Sequence, residues 1–297
     1  MSERVRAVTA AEYAALFPEP HTVFDTVAFA TLNAARAERL LFLAGHGMGI
    51  ILGERNGTWH APFSAPYSLP AGSGDCDAFL NDILAITGPQ LALTLPAPFY
   101  GGAEWADALN RAGAINGHEY NYHYPLERFD HFADYALDPV PRNLRRAAKA
   151  AFSLVETDDI DTVYTLIADH HRHLGYHMAM TLQQVKETAR ILKADFFLLL
   201  KEGTPAAAAF VEHTAPGIVQ LINWGDDPQL RQWRTMNALA HELLRHYAAT
   251  PGIEIFDLGP ASTDGIRNEG LIRYKLSLGA VETLKPTRTP KPLDPGQ

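Results

Sequence analysis

Lys275 sits near the centre of an apolar run, Leu271-Ile272-Arg273-Tyr274-Lys275-Leu276, that reads as a strand. An ammonium there is costly unless a polar or anionic group meets it; otherwise the side chain snorkels from the strand edge to water. Asp257 poses the same question with the opposite charge. It interrupts Ile253, Ile255, Phe256 and Leu258, a short buried strand closed by Gly259-Pro260. Such a carboxylate is either paired, with Arg267 or Arg273, or poised as a proton acceptor with a raised pKa. Glu212 and His213, at the end of another strand, are further candidates for receiving a proton. Tyr274 and Trp224 supply aromatic surface for a ligand.

Arg142, Arg145, Arg146 and Lys149 recur at spacings of three, four and seven, which places them on one helical face. Arginine forks on such a face hold a phosphate or carboxylate, or form a solvated surface. His170, His173 and His177 have a helical spacing that suits zinc, but Gly175 interrupts the helix and no HExxH or cysteine partner accompanies them. No metal is expected. Gly45-His46-Gly47-Met48-Gly49 lies between strands, so it is neither a P-loop nor a dinucleotide fingerprint. His118, Tyr120, Tyr122 and Tyr124 alternate along one strand face, which suits cross-strand aromatic packing or a ligand-stacking wall between domains. No Gly-x-Ser-x-Gly or Cys-His pattern marks a covalent nucleophile.

The elements that position these residues come in two sets. Leu40–Leu43, Gly49–Leu52 and Thr58–His60 read as three strands joined by glycine turns, followed by a helix through Trp105, Leu109 and Ala112 and a strand from Glu119 to Tyr124. Phe196–Leu200, Ala206–Val211 and Ile218–Ile222, a helix from Met236 to Tyr247 and the strand at Ile253–Leu258 repeat that order. Asp138-Pro139-Val140-Pro141 separates the two, giving expected domains at 1–137 and 138–284. The proline-rich segment 285–297 is expected to be extended and mobile.

Bulk properties narrow the function. With 297 residues and 47% hydrophobic content, the chain can fill two cores. A single cysteine, Cys76, fits a reducing compartment. No signal-like or membrane-length apolar stretch is present, so a cytoplasmic protein is expected. Residues 1–136 hold seven Arg, no Lys and fifteen Asp or Glu, a balance of −8 out of the total −9. That field opposes a broad nucleic-acid surface.

Asp257-Leu258-Gly259, Tyr274-Lys275 and Leu278-Gly279 together resemble the closing part of the Fem-like branch of the GNAT acyltransferase superfamily. There, a strand ending in Asp-x-Gly precedes a Phe-Lys pair and a Phe-Gly. Pro141-Arg142-Asn143-Leu144-Arg145-Arg146-Ala147 is similar to the Arg-Arg-Asn-x-Arg-Lys-Ala helix that opens the family's second domain. The resemblance implies an α+β fold of two tandem GNAT domains, each a three-layer αβα arrangement around a mixed sheet. It also implies transfer of an activated acyl group, from acyl-CoA such as acetyl-CoA or from aminoacyl-tRNA, onto an amine of a small or peptide-like acceptor. Lys275 would then polarise the acyl carbonyl, the Arg142, Arg145 and Arg146 face would bind phosphate or carboxylate, and Asp257 or Glu212 would take up the amine proton. One departure stands out. Where acyl-CoA enzymes carry an Arg/Gln-x-x-Gly-x-Gly/Ala loop for the pyrophosphate, this chain reads Asn223-Trp224-Gly225-Asp226-Asp227. Two aspartates there repel a diphosphate, which keeps open a GNAT-derived binding protein without transfer chemistry. Donor, acceptor and oligomeric state are not readable from the sequence.

Overall fold

Three two-residue turns set the first registers of the fold. His46-Gly47, Asn56-Gly57 and Glu202-Gly203 take positive φ at both positions, 52° and 77°, 52° and 74°, and 51° and 80°. That geometry matches the twist of the strands each turn joins. The computed structural model describes residues 4–113 and 115–290. These divide into two units, one containing the chain up to Tyr120, Ser262–Ile266 and the chain from Thr283 onward, the other Asn121–Ala261 and Arg267–Glu282.

In chain order the first elements are β1 (Arg6–Val8), α1 (Ala10–Leu16), α2 (Val27–Leu32), β2 (Arg39–Gly45), β3 (Met48–Arg55), β4 (Thr58–Ala61), β5 (Ala71–Gly72), α3 (Cys76–Thr87), β6 (Leu91–Thr94), α4 (Ala103–Ala112) and β7 (Ile115–Pro125). There follow α5 (Phe132–Tyr135), α6 (Val140–Ala147), β8 (Ser153–Glu156), α7 (Ile160–His173), α8 (Leu182–Thr188), β9 (Ala194–Lys201), β10 (Thr204–Ala215), β11 (Ile218–Asp226), α9 (Thr235–Ala248) and β12 (Ile255–Pro260). The last are β13 (Ser262–Thr263), β14 (Ile266–Arg267), α10 (Glu269–Ser277) and β15 (Val281–Arg288).

The first unit's sheet runs β1-β2-β3-β4-β6-β15, with β5 against β3, and is antiparallel except for the parallel pair β4/β6. The second runs β8-β9-β10-β11-β12-β7, antiparallel except for the parallel pair β11/β12. Both therefore follow one plan: a strand, two helices, three antiparallel strands, a helix, a strand parallel to the third, and another helix. The duplication expected from the sequence is present, but its first copy is shifted. The counterpart of α9 is α3, not the helix through Trp105, and the counterpart of β12 is β6, not Glu119–Tyr124. The signals for α3 were in plain view: Asp75 accepts from the Ala78 amide as N-cap, Phe79, Leu80, Ile83 and Leu84 form an apolar stripe, and Gly88 ends it.

Each sheet is covered by its own helices. In the first unit α3 buries Phe79, Leu80, Ile83 and Leu84 against Ile50, Leu52 and Leu91. In the second, Val163 and Ile167 of α7 pack on Phe196, Leu198, Ala208 and Phe210. Each such large side chain contributes about 1.5–3 kcal/mol when buried. The close approach of α7 to β11 depends on Gly225, where a Cβ would lie 2.7 Å from the His170 Cβ and 3.1 Å from the Ile167 Cα. Lys285–Arg288, expected to be mobile, instead belong to β15, and Lys285 is buried. Residues 291–297 lie outside the described residues.

Candidate functional site

The parallel pair β11/β12 stays in register for three residues only: Ile218 with Ile255, Val219 with Phe256 and Gln220 with Asp257. Beyond that point the strands part. The next residues of β11, Leu221 to Trp224, and of β12, Leu258 to Pro260, line a cavity of about 510 Å³. His170 and His171 close it from α7, and Asn268, Leu271 and Lys275 from the α10 side. Its volume is that of a small-molecule site, and the strand edges exposed by the split carry backbone donors and acceptors no longer engaged between the two strands.

Lys275 stands on α10, a helix of Glu269–Ser277 opened by Asn268, whose side chain accepts from the Leu271 amide. This corrects the strand expected there: Leu271, Ile272, Tyr274, Lys275 and Leu278 also satisfy a helical period, and the Asn cap decides it. Lys275 is 2% exposed, so it does not snorkel to water. Its Nζ donates to three consecutive carbonyls of β12, those of Leu258, Gly259 and Pro260, at 2.8 Å each. Three successive carbonyls face one point because Gly259 takes φ +75° and the register with β7 shifts between Asp257 and Gly259. The Tyr122 ring adds a cation–π contact, its centroid 5.7 Å from Nζ.

Directly below the split runs a row of polar side chains in register across four strands. Glu212 of β10 faces Gln220 of β11, Gln220 faces Asp257 of β12, and Asp257 faces His123 of β7. All four are buried. Strand periodicity places Glu212 on the side where Phe210 packs against α7, and the register carries the others with it. Burial pushes the Glu212 carboxyl up to about 7. Burial also pulls His123 below its ordinary value, with Asp257 acting the other way. The Gln220 Oε1 is buried without a hydrogen-bond partner. Asp257 accepts from Asn121 Nδ2 at 2.8 Å and from the Gly259 amide at 2.9 Å. Arg267 meets Glu269 and Glu282, and Arg273 donates to the Glu269 carbonyl. Neither Asp257 nor Glu212 lines the cavity; they lie beneath it.

Of the two aromatic candidates, Trp224 belongs to the cavity wall and Tyr274 stands behind it. The two rings pack edge-on, centroids 5.7 Å apart. The Tyr274 hydroxyl donates to the Met236 carbonyl at 2.8 Å, so it braces α10 against α9 and does not face a ligand. Arg142, Arg145 and Arg146 lie on α6 as expected, exposed, and they do not line this cavity. Of the histidines, His170 Nδ1 lies 2.9 Å from Asp226 Oδ1, while His173 and His177 are exposed. Among the described residues no group of three His, Cys, Asp or Glu side chains is placed to hold a metal.

Asp226 settles one question raised by the sequence. Burial raises its pKa, yet hydrogen bonds from His170, Thr235 and Arg231 hold it below the usual value. Thr235, which donates to it, is the first residue of α9. The helix start that would cradle a coenzyme A diphosphate therefore has the chain's own carboxylate beside it, and the residues present do not fit that group. Sequence reasoning missed Gln220, His123, Asn121 and the cavity role of His170. Gln220 was the detectable one, as the single polar residue in Ile218-Val219-Gln220-Leu221-Ile222.

The strand runs of the two units follow one plan, each with a single parallel pair, and in the second unit that pair parts beyond Gln220. Solved structures carry the same fold over nearly the whole chain. FemX matches with a TM-score of 0.65 at 11% identity, covering 96% of this chain and 97% of its own. The C-terminal domain of a putative lysylphosphatidylglycerol synthetase from Agrobacterium fabrum matches with a TM-score of 0.61 at 15% identity, over 94% and 92%. A protein of unknown function from Bacteroides thetaiotaomicron gives 0.65 at 12%, over 96% and 99%. No protein-family model and no curated protein sequence matches the chain.

Proposed function

We propose that the protein transfers an activated acyl group, as an N-acyl or aminoacyl transferase, onto an amine of a small or peptide-like acceptor, with the second unit's cavity as the site. The observation that carries this reading is the cavity opened where β11 and β12 part, walled by Trp224 and a buried ammonium. Attack of the amine on the acyl carbonyl creates an oxyanion, and a fixed cation at the wall stabilises that charge through its field while its protons stay on backbone carbonyls. The attacking nitrogen must lose a proton. Glu212, whose carboxyl burial pushes up to about 7, is the acceptor we assign. The exposed Arg142, Arg145 and Arg146 face would hold a distal anionic part of a substrate.

Asp226 beside the start of α9 weighs against a donor anchored by its diphosphate, and so favours aminoacyl-tRNA over acyl-CoA. A turnover assay with panels of both donors, on wild type and Lys275→Ala, tests the proposal. Transfer by wild type that drops at least tenfold in the variant is expected; no transfer with any donor would overturn it. The same carboxylate supports a second reading, a GNAT-derived binding protein without chemistry. Calorimetry showing ligand uptake without turnover would favour that one.

A further inference from the structure

The loop between β6 and α4 borders a second cavity, of about 430 Å³, formed within the first unit. Leu69, Leu95, Leu284 and Pro286 give it apolar walls. Two groups of positive character meet there. One is the start of α4: its N-cap Gly102 offers no side-chain acceptor to the first-turn amides. At the matching place in the second unit, Asn268 caps α10. The other is Arg288 of β15, which lines the cavity and is 7% exposed. Its Nη2 donates to the neutral Asn110 side chain, while its Nε is buried without a partner. Asp107 also lines the cavity but makes no ion pair with Arg288 among the described residues. Burial alone draws the guanidinium below its ordinary pKa.

A buried guanidinium with no counter-charge is an expensive arrangement, and its fork matches a carboxylate. A helix start beside it favours the same charge. We propose that this cavity binds a small carboxylate with an apolar body, of the medium-chain fatty acid class. The head group would sit between Arg288 and the first turn of α4, with the chain along Leu69 and Leu95. The site is separate from the transfer cavity, and its existence does not depend on that reading.

Calorimetry with octanoate on the full chain tests it, with octanol as the probe lacking the charge. We expect octanoate to bind at least tenfold tighter than octanol, Arg288→Gln to weaken octanoate at least tenfold, and Asp107→Asn to tighten it by removing a repelling charge. Should Arg288→Gln fail to fold, Ala106→Phe fills the cavity with the guanidinium intact, and it too should abolish binding. Absence of octanoate binding, equal binding of octanol, or binding indifferent to these changes would overturn the proposal.

Discussion

At the residue scale, the proposed chemistry turns on two buried ionisable groups held in opposite ways. Lys275 has an acceptor for each of its three protons, so replacing it by Met strands three carbonyls. At about 1–3 kcal/mol per unsatisfied buried group, the loss should reach at least about 3 kcal/mol, read as a fall in unfolding midpoint. An ammonium so occupied has no lone pair to offer. Treatment with acetic anhydride should therefore label exposed Lys149 and spare Lys275 by peptide mass mapping. Glu212 is the opposite case, a carboxyl that burial holds at about 7, above its ordinary value of 4.5. Its contribution is fully present below 4.5 and fades as pH rises to about 7, since only the unfolded chain ionises in that window. Wild type should lose about 3 kcal/mol across it relative to Glu212→Gln, measured by denaturant unfolding at several pH values. If Glu212 takes up the amine proton, the variant also loses the acidic limb of the rate profile. Lys275 and Asp257 were legible from the sequence because each breaks an apolar run. Their partners were not, since a clasp of backbone carbonyls leaves no trace in residue types, and Asn121 lies 136 residues from Asp257.

At the scale of elements, the site depends on two glycines for different reasons. Gly259 has room for a methyl group, its nearest neighbour being the Leu221 carbonyl oxygen at 3.7 Å, but its φ of +75° disfavours any L side chain. Gly259→Ala should cost about 1–2 kcal/mol and disturb the carbonyl cluster under Lys275. Gly225 is limited by space, because α7 lies directly on it. Gly225→Ala should push α7 from β11 and weaken ligand binding more than Gly259→Ala does, by calorimetry. The hairpin strands were readable because turn dipeptides and apolar runs coincide. Helix α10 was misread as a strand because a run of six residues fits both periods, and only its cap discriminates. The shifted first copy has a similar origin: α3 passed unnoticed, and every later assignment in that half moved by one helix and one strand.

At the scale of the whole molecule, the units are not consecutive lengths of chain. The first unit's sheet is completed by β15, which pairs Thr287 with Thr94 and Arg288 with Leu93, while the Leu95 amide donates to the Pro286 carbonyl. A chain ending at Ala280 should therefore lose amide-exchange protection at Leu91–Leu95, far away in sequence. Intact protection in that truncation would show that β6 needs no neighbour there. This exchange was invisible in the sequence, where the proline pair at Asp138-Pro139-Val140-Pro141 suggested a simple division. It also sets a schedule for biosynthesis. Thr94 leaves the ribosome 193 residues before Thr287, roughly 10–40 s earlier at ordinary elongation rates. During that interval the nascent first unit carries an open β6 edge, a natural point for chaperone capture.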